Sequence, residues 1–294
     1  MPEVRTVLAE IRAARRSAIT AVMHTPESDM ARENRWGGGP MDVRFFHLRF
    51  ADHDEEHGLS IGDKLAEFGF RQTRAQRILG ATEATHGDLL GALVGLTDVD
   101  LDVAPGGEWP LRRTLAHLTH VEHTYRINTL HAAELHLAGQ PFEPLAEDAF
   151  PTLDAFMEGD LSVFITRIDE ARETALGALA NLPDAAMAGQ AVWMERNVTV
   201  EFRLMRYAHH EREHVAHILK WRAQVGREQT EAQTLLALGW RARGVIESQL
   251  VGLPDEMLDA RPADGGWTLR ELLLHLADTD AFLRGRIEGA TTPA

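Results

Sequence analysis

The chain contains two copies of one sequence, and this internal repeat constrains its fold more than any other feature. At an offset of 157 residues, GFRQTRAQ at 69–76 aligns with GREQTEAQ at 226–233 without a gap. LVGLTDVDLD at 93–102 aligns with LVGLPDEMLD at 250–259 in the same register. One extra residue then enters the second copy, so that EWPLRRTLAHL at 108–118 aligns with GWTLRELLLHL at 266–276. Solenoid repeats are much shorter, so each copy is long enough to form a unit of its own.

Each copy has the pattern of helices. Apolar residues recur three and four positions apart, as in helices with one buried face. The breaks contain turn-forming residues, as in RWGGGP at 35–40 and PADGG at 262–266. The predicted helices are 4–23, 41–67, 72–96, 110–136, 160–181, 198–225, 231–252 and 268–288. We therefore predict an all-α protein of two four-helix bundles related by a pseudo-twofold axis.

Composition limits the partners and the chemistry. The chain has no cysteine, which excludes disulfides, thiolate metal sites and a protein thiol as nucleophile. A formal net charge of −15 argues against a nucleic acid or an acidic membrane as partner. No apolar run approaches the roughly 20 residues of a membrane-spanning helix, and the first residues lack the pattern of a signal peptide. We expect a cytoplasmic protein, either a monomer whose two units mimic a dimer or a homodimer.

Histidine is the residue type that the repeat singles out. Of the fifteen histidines, six align with another histidine. The aligned pairs are His53 with His210, His57 with His214, and His117 with His275. Four others, His120, His123, His209 and His217, lack an aligned histidine and are predicted to be surface or supporting residues.

The spacing of these histidines suits a metal ion. His210 and His214 are four residues apart, so both rings project from one face of a helix, where they replace core residues of the apolar stripe. A four-helix bundle can bring a third histidine to this face. Three neutral imidazoles bind a divalent metal and leave positions open for another ligand. Zinc is the first expectation, and nickel, iron or manganese would also fit. Alternatively, these are core histidines that make ordinary hydrogen bonds.

The same segment contains the zinc-protease motif His-Glu-x-x-His, with Glu211 at the position of the general base. The aligned residue in the other copy is Asp54, and no strand-rich region is visible that could form a substrate groove. A metalloprotease is therefore kept only as a remote alternative.

These motifs resemble the DinB/YfiT superfamily of metal-binding four-helix bundles. Its second helix begins with Trp and continues to His-Leu, as in EWPLRRTLAHL and GWTLRELLLHL. Its fourth helix carries His-x-x-x-His, as in TVEFRLMRYAHHEREHVAHI at 199–218 and DVRFFHLRFADHDEEHGLSI at 42–61. The resemblance covers nearly the whole chain. It implies that His117, His210 and His214 are the metal ligands of one unit, and His275, His53 and His57 those of the other.

The order of the helices departs from the family pattern. The chain runs through the family's helices in the order 3-4-1-2-3-4-1-2, so only residues 72–228 form a bundle in the usual order. Residues 1–70 and 230–294 would then form the second bundle. In the other possible arrangement, residues 1–136 and 158–294 fold as two permuted bundles, and His117 meets His53 and His57. We predict the first arrangement because the loop at 138–154 resembles an internal loop of the family, and because loop closure costs little more as the loop lengthens.

The resemblance also suggests an activity. The superfamily includes bacillithiol- and mycothiol-dependent transferases and isomerases, and the N-terminal domain of ergothioneine-type sulfoxide synthases. It implies a metal-dependent enzyme, thiol S-transferase or hydrolase-like, that activates a small-molecule thiol for transfer to an electrophile. The alternative is a binding or stress-response module whose metal is not catalytic. Neither catalytic nor cofactor-binding residues follow from the sequence.

Overall fold

The computed structural model describes residues 3–291, and helices make up most of this region. The eight α-helices of this region are α1 (Glu3–Val22), α2 (Val43–Glu67), α3 (Arg74–Leu93), α4 (Leu111–Leu137), α5 (Leu161–Leu179), α6 (Val200–Val225), α7 (Glu231–Gln249) and α8 (Leu269–Thr291). Each lies where the apolar periodicity predicts it. Within residues 3–291, no helix is both long enough and apolar enough to cross a membrane.

Two short β-hairpins were not predicted. Strands β1 (Glu33–Trp36) and β2 (Gly39–Asp42) pair in antiparallel fashion just before α2, and β3 (Gln190–Trp193) and β4 (Arg196–Thr199) do the same before α6. Each hairpin ends on the residue that caps the next helix. The Asp42 side chain accepts a hydrogen bond from the backbone N–H of Phe45, and Thr199 accepts one from Phe202. Such caps satisfy backbone donors that the first turn of a helix leaves free, and so the hairpins set where α2 and α6 begin.

The chain is divided into two compact units. The first comprises Met1–Arg71, His86–Gly95 and Glu228–Ala294, and the second comprises Gln72–Thr85 and Leu96–Arg227. Helix α3 is divided between them. Its glycines explain why its second half belongs to the first unit: an added Cβ at Gly87 would lie 2.6 Å from the Trp240 carbonyl oxygen of α7. Only a residue without a side chain permits this approach of two helices.

The first unit is a four-helix bundle built from both ends of the chain. Helix α1 packs on α8, and α2 packs on α7 and α8. Its core joins residues that are more than 200 positions apart, such as Leu8 and Ile11 of α1 with Leu272 and Leu276 of α8. Burying apolar side chains contributes about 25 cal/mol for each Å² removed from water, so this interface stabilises the closure of the two chain ends.

The second unit is also a four-helix bundle. Helix α4 packs against α5 and α6, and the first half of α3 joins them. Phe164 and Ile168 of α5, Leu115 of α4 and Leu204 of α6 are almost fully buried. The segment between α4 and α5 is irregular apart from two short 3-10 helices, Glu147–Ala149 and Leu153–Phe156. The fold thus positions α4 and α6, the two helices that carry the candidate site of this unit.

Candidate metal centres

In the second unit, α4 and α6 bring three imidazoles together. The Nε2 atom of His210 lies 3.1 Å from Nε2 of His117 and 3.1 Å from Nε2 of His214. His210 and His214 are on adjacent turns of α6, and His117 faces them from α4. All three rings therefore direct the same nitrogen toward one point. This is the grouping of the first of the two arrangements considered from the sequence.

The first unit contains a matching cluster. The Nε2 atom of His53 lies 3.2 Å from Nε2 of His57 and 3.2 Å from Nε2 of His275. Helix α2 supplies the pair of histidines, and α8 supplies the third. The structure therefore places all six predicted histidines in two clusters of three, each within one unit, and ring nitrogens within a cluster lie within 4.8 Å of one another.

The two clusters fit the requirements of a divalent metal. Two nitrogens bound at about 2.0–2.1 Å to one tetrahedral zinc ion are about 3.3 Å apart. The observed separations of 3.1 and 3.2 Å between Nε2 atoms are close to this value. Nitrogen donors from imidazole suit zinc, nickel, iron and copper. The geometry could thus hold an ion with little movement of the rings.

Four of these histidines are also held in the neutral form that a metal ligand requires. Burial, and secondarily the neighbouring His214, lowers the pKa of His210 to about 3. Burial also lowers the pKa of His117 to about 4 and that of His214 to about 4. In the first unit, burial and then His57 lower the pKa of His53 to about 4. Protons therefore compete weakly for these nitrogens near neutral pH.

A cavity opens beside the cluster of the second unit. It has a volume of about 240 Å³ and is lined by residues that include Trp109, Thr114, His214, His217 and Lys220. The Trp109 ring lies 5.2 Å from the His117 ring, centroid to centroid, and it is 41% exposed. This tryptophan therefore contacts a candidate ligand. A small molecule in the cavity would lie against His214.

The histidines without an aligned partner have different surroundings. The His217 ring lies 5.3 Å from the His214 ring and lines the cavity. His123 stacks on Phe156, and the His120 ring lies 6.4 Å from the His117 ring. His217 and His120 are therefore supporting residues near the cluster. Both follow a ligand candidate by one helical turn, and this spacing is the signal that could have identified them in advance.

Each cluster lies next to a buried ion-pair network that sequence reasoning missed. In the second unit, Nη2 of Arg172 contacts Glu122 at 2.7 Å and Glu211 at 3.2 Å. In the first unit, Nη2 of Arg15 contacts Asp54 at 2.9 Å. Asp280 is bonded to Nε of Arg15 at 2.9 Å. The acidic and basic members occupy aligned positions: Arg15 with Arg172, Asp54 with Glu211, and Asp280 with Glu122.

The position of Glu211 bears on the protease alternative. Its carboxylate is buried, pairs with Arg172 and accepts a hydrogen bond from the Thr85 hydroxyl at 2.7 Å. Successive residues of an α-helix point about 100° apart, so Glu211 faces this network while His210 faces the other histidines. A general base must reach a water at the metal. The carboxylate instead has a structural role.

Comparison with known proteins identifies the family. The family model of the DinB superfamily matches residues 81–218 and 241–294, well over half of the chain. The chain therefore belongs to the DinB superfamily. Among solved structures, YfiT from Bacillus subtilis matches with 22% identity and a TM-score of 0.40, over 51% of this chain and 87% of that chain. It is described as a probable metal-dependent hydrolase with an unusual four-helix bundle topology. No curated protein matches the chain.

The family assignment and the four-helix bundles confirm two predictions made from the sequence. The family match begins in α3 and continues through α4, α5 and most of α6, and its second segment lies in α7 and α8.

Proposed function

We propose that this protein is a metal-dependent enzyme that activates a small-molecule thiol for transfer to an electrophile at the cluster of His117, His210 and His214. The observation that carries the proposal is the convergence of three Nε2 atoms beside a cavity that can admit a small molecule. We also propose that the two bundles arose by duplication, and that residues 72–228 and the two chain ends correspond to one ancestral unit each.

The residues around the second-unit cluster would have different roles in this reaction. His117, His210 and His214 would hold the ion, and their low pKa values keep them neutral. The bound ion would supply Lewis acidity, which lowers the pKa of a bound thiol, so that the thiolate forms near neutral pH. Trp109 and Thr114 line the cavity in which the thiol would be oriented. The chain has no cysteine, so the reacting sulfur would come from the substrate.

The test is a conjugation assay with low-molecular-weight thiols and an aryl halide, after metal reconstitution. We expect turnover by the wild type and loss of most turnover in His214→Ala, because one of three ligands is gone. The matched control is His57→Ala, which makes the same change in the first unit, and it should retain most of the turnover.

A metal content near two ions per chain with no turnover of any thiol would favour the non-catalytic binding module instead. Hydrolysis of activated esters without thiol conjugation would instead indicate the hydrolase-like alternative, with water in place of the thiol. A protease would show peptide cleavage that Glu211→Gln abolishes while the fold is retained. The buried ion pair of Glu211 with Arg172 argues against that result.

A further inference from the structure

Arg203 of α6 is a buried arginine that lacks partners on one edge. Arg203 is only 4% exposed, and its Nη1 donates a hydrogen bond to the backbone oxygen of Val192 at 3.3 Å. Its Nε and Nη2 atoms are buried and have no hydrogen-bond partner. Burying a guanidinium with unsatisfied donors costs several kcal/mol unless another group compensates.

No carboxylate compensates this charge within the described residues. The ion pairs of the buried Arg172 involve Glu83, Glu122 and Glu211, but none of the observed ion pairs includes Arg203. Its guanidinium carbon instead lies 4.7 Å from the centre of the Tyr125 ring. Burial lowers the pKa of Arg203, as expected for a cation without a nearby carboxylate. A cation–π contact contributes about 0.5–2 kcal/mol and leaves the in-plane N–H donors available.

The two unpartnered atoms form one geometric unit. Nε–H and the adjacent N–H of Nη2 point in parallel from the side of the guanidinium, as a fork that matches the two oxygens of a carboxylate. Two further buried hydroxyls on α6 and α4 also lack partners. They are the hydroxyl of Tyr207, one turn after Arg203 on α6, and that of Thr129, one turn after Tyr125 on α4.

The first unit lacks this polar cluster. The residues aligned with Arg203, Tyr207, Tyr125 and Thr129 are Phe46, Phe50, Leu283 and Ile287, all apolar. Since both units form bundles with a histidine cluster, the arginine and the two tyrosines are not needed to build such a bundle. They mark a property of the second unit alone.

The cluster is next to the candidate metal centre. The Tyr125 ring contacts the Arg203 guanidinium on one side, and its centroid lies 5.7 Å from that of His210. Seven residues of α-helix separate Arg203 from His210, a rise of about 10 Å. A ligand held at Arg203 could therefore extend to the histidines if it were about this long.

We propose that Arg203, with Tyr207, forms a binding site for a carboxylate group in the second unit. A carboxylate offers two coplanar oxygens to the fork and a single negative charge to the single cation. A phosphate dianion would leave one buried negative charge without a partner, which is unfavourable in an apolar environment. One extension depends on the proposed function: this carboxylate belongs to the small molecule whose reactive group reaches His210.

The test is a thermal-shift titration of the full-length protein with sodium acetate, with neutral acetamide as the control ligand and ionic strength held constant. A ligand that binds only the native state raises the unfolding temperature in a saturable way. We expect this rise with acetate and not with acetamide. In Arg203→Phe, which installs the residue of the first unit, the acetate-dependent rise should disappear.

Two further variants keep the test decisive if Arg203→Phe does not fold. Arg203→Lys retains the charge but not the fork, and Tyr207→Phe removes only a hydroxyl. Each should bind acetate about tenfold or more weakly, the loss expected for a hydrogen bond to a charged group. Arg74→Met, which alters an exposed arginine paired with Glu201, should bind acetate like the wild type.

The response of His214→Ala separates this proposal from the proposed function. Retention of the acetate effect in that variant would support the Arg203 site even if no metal-dependent turnover is found. Loss of the effect in His214→Ala with retention in Arg203→Phe would place acetate on a metal ion and overturn the proposal. Equal curves for acetate and acetamide in the wild type would also overturn it, because the unpartnered donors would then bind water alone.

Discussion

Arg15 and Arg172 join the core of each bundle to its histidine cluster. Both are fully buried at aligned positions, and each bonds to an acidic residue that directly follows a candidate metal ligand in sequence: Asp54 after His53, and Glu211 after His210. The arginine therefore restrains the helix turn that presents the histidine. This contact links the core of each unit to the geometry of its site.

We predict that Arg172→Met destabilises the protein by about 3–5 kcal/mol, the usual cost of removing one member of a buried ion pair. Glu122 and Glu211 would lose their shared cation. Urea unfolding monitored by circular dichroism measures the change. Arg74→Met is the exposed control and should cost less than about 1 kcal/mol. Equal effects of the two substitutions would contradict the structural role of Arg172.

The lowered pKa values of the buried histidines predict that the stability of the metal-free protein depends on pH. The folded-state pKa values of His117 and His214 are about 4, below the value of 6.5 for an exposed histidine. The unfolded chain therefore binds more protons between these values, so stability is complete above pH 6.5 and falls as pH decreases toward 4. Urea midpoints from pH 8 to 4 test this. A His117→Gln, His214→Gln double variant should show a shallower decline.

The six histidines and Arg203 differ in how far the sequence alone reveals them. The six histidines could be found because aligned imidazoles on an apolar face are rare and have few roles other than metal binding. Arg203 could not be found, since an arginine in a helix is usually exposed and its burial depends on packing that no local pattern records. The repeat shows that Arg15 and Arg172 occupy corresponding positions, but it does not show that both are buried.

Among the elements, the helices follow closely from periodicity and the hairpins do not. The prediction for the fifth helix, 160–181, matches α5 at Leu161–Leu179, because Asp160 caps it and Pro183 follows its end. The hairpin strands contain four residues each, and sequences such as ENRW and RNVT show no regular alternation of apolar and polar residues. The segment RWGGGP was recognised as a turn, but not as the centre of a strand pair.

The two hairpin turns differ in a way that gives a prediction. In the first, Gly37 and Gly38 have φ values of 56° and 88°. In the second, the aligned residues are Met194 and Glu195, with φ values of 47° and 62°. This left-handed conformation costs most residues about 1–2 kcal/mol, whereas glycine and asparagine adopt it more readily. We therefore expect Met194→Asn with Glu195→Gly to raise the unfolding temperature by a few degrees.

The reciprocal exchange is the control for this prediction. Gly37→Met with Gly38→Glu should lower stability by about 1–3 kcal/mol, since both residues would enter the left-handed region. Differential scanning calorimetry of both variants measures the effects. If neither exchange changes the unfolding temperature, the turns adopt other conformations in solution.

At the scale of the whole molecule, the two units predict the metal content. Each contains one cluster of three histidines, so we expect elemental analysis to find about two divalent ions per chain. His57→Ala and His214→Ala should each remove about one ion, and the double variant should remove both. A single ion in the wild type that only His214→Ala removes would show that the first cluster does not bind metal. An unchanged content in every variant would place the metal elsewhere.

The assignment of helices to units was the most difficult part to predict. The repeat defines which segments correspond, but either arrangement of the copies satisfies the same apolar pattern. The proposed boundary near residue 72 places all of α3 with the second unit, whereas its second half packs in the first through Gly87 and Gly91. A close approach of two glycine-containing helices is a tertiary feature, and the periodicity of α3 alone gives no sign of it.

The construction of the first unit from both chain ends affects how the protein is made. During translation, α1 and α2 leave the ribosome about 200 residues before α8, which packs against both of them. At about 5–20 residues per second, the surfaces that contact α8 remain uncovered for roughly 10–40 seconds. All segments of the second unit have emerged by residue 227 and can fold in that interval. The nascent first unit thus exposes apolar surface that a ribosome-associated chaperone could bind, and the synthesis of α8 sets when the unit can close.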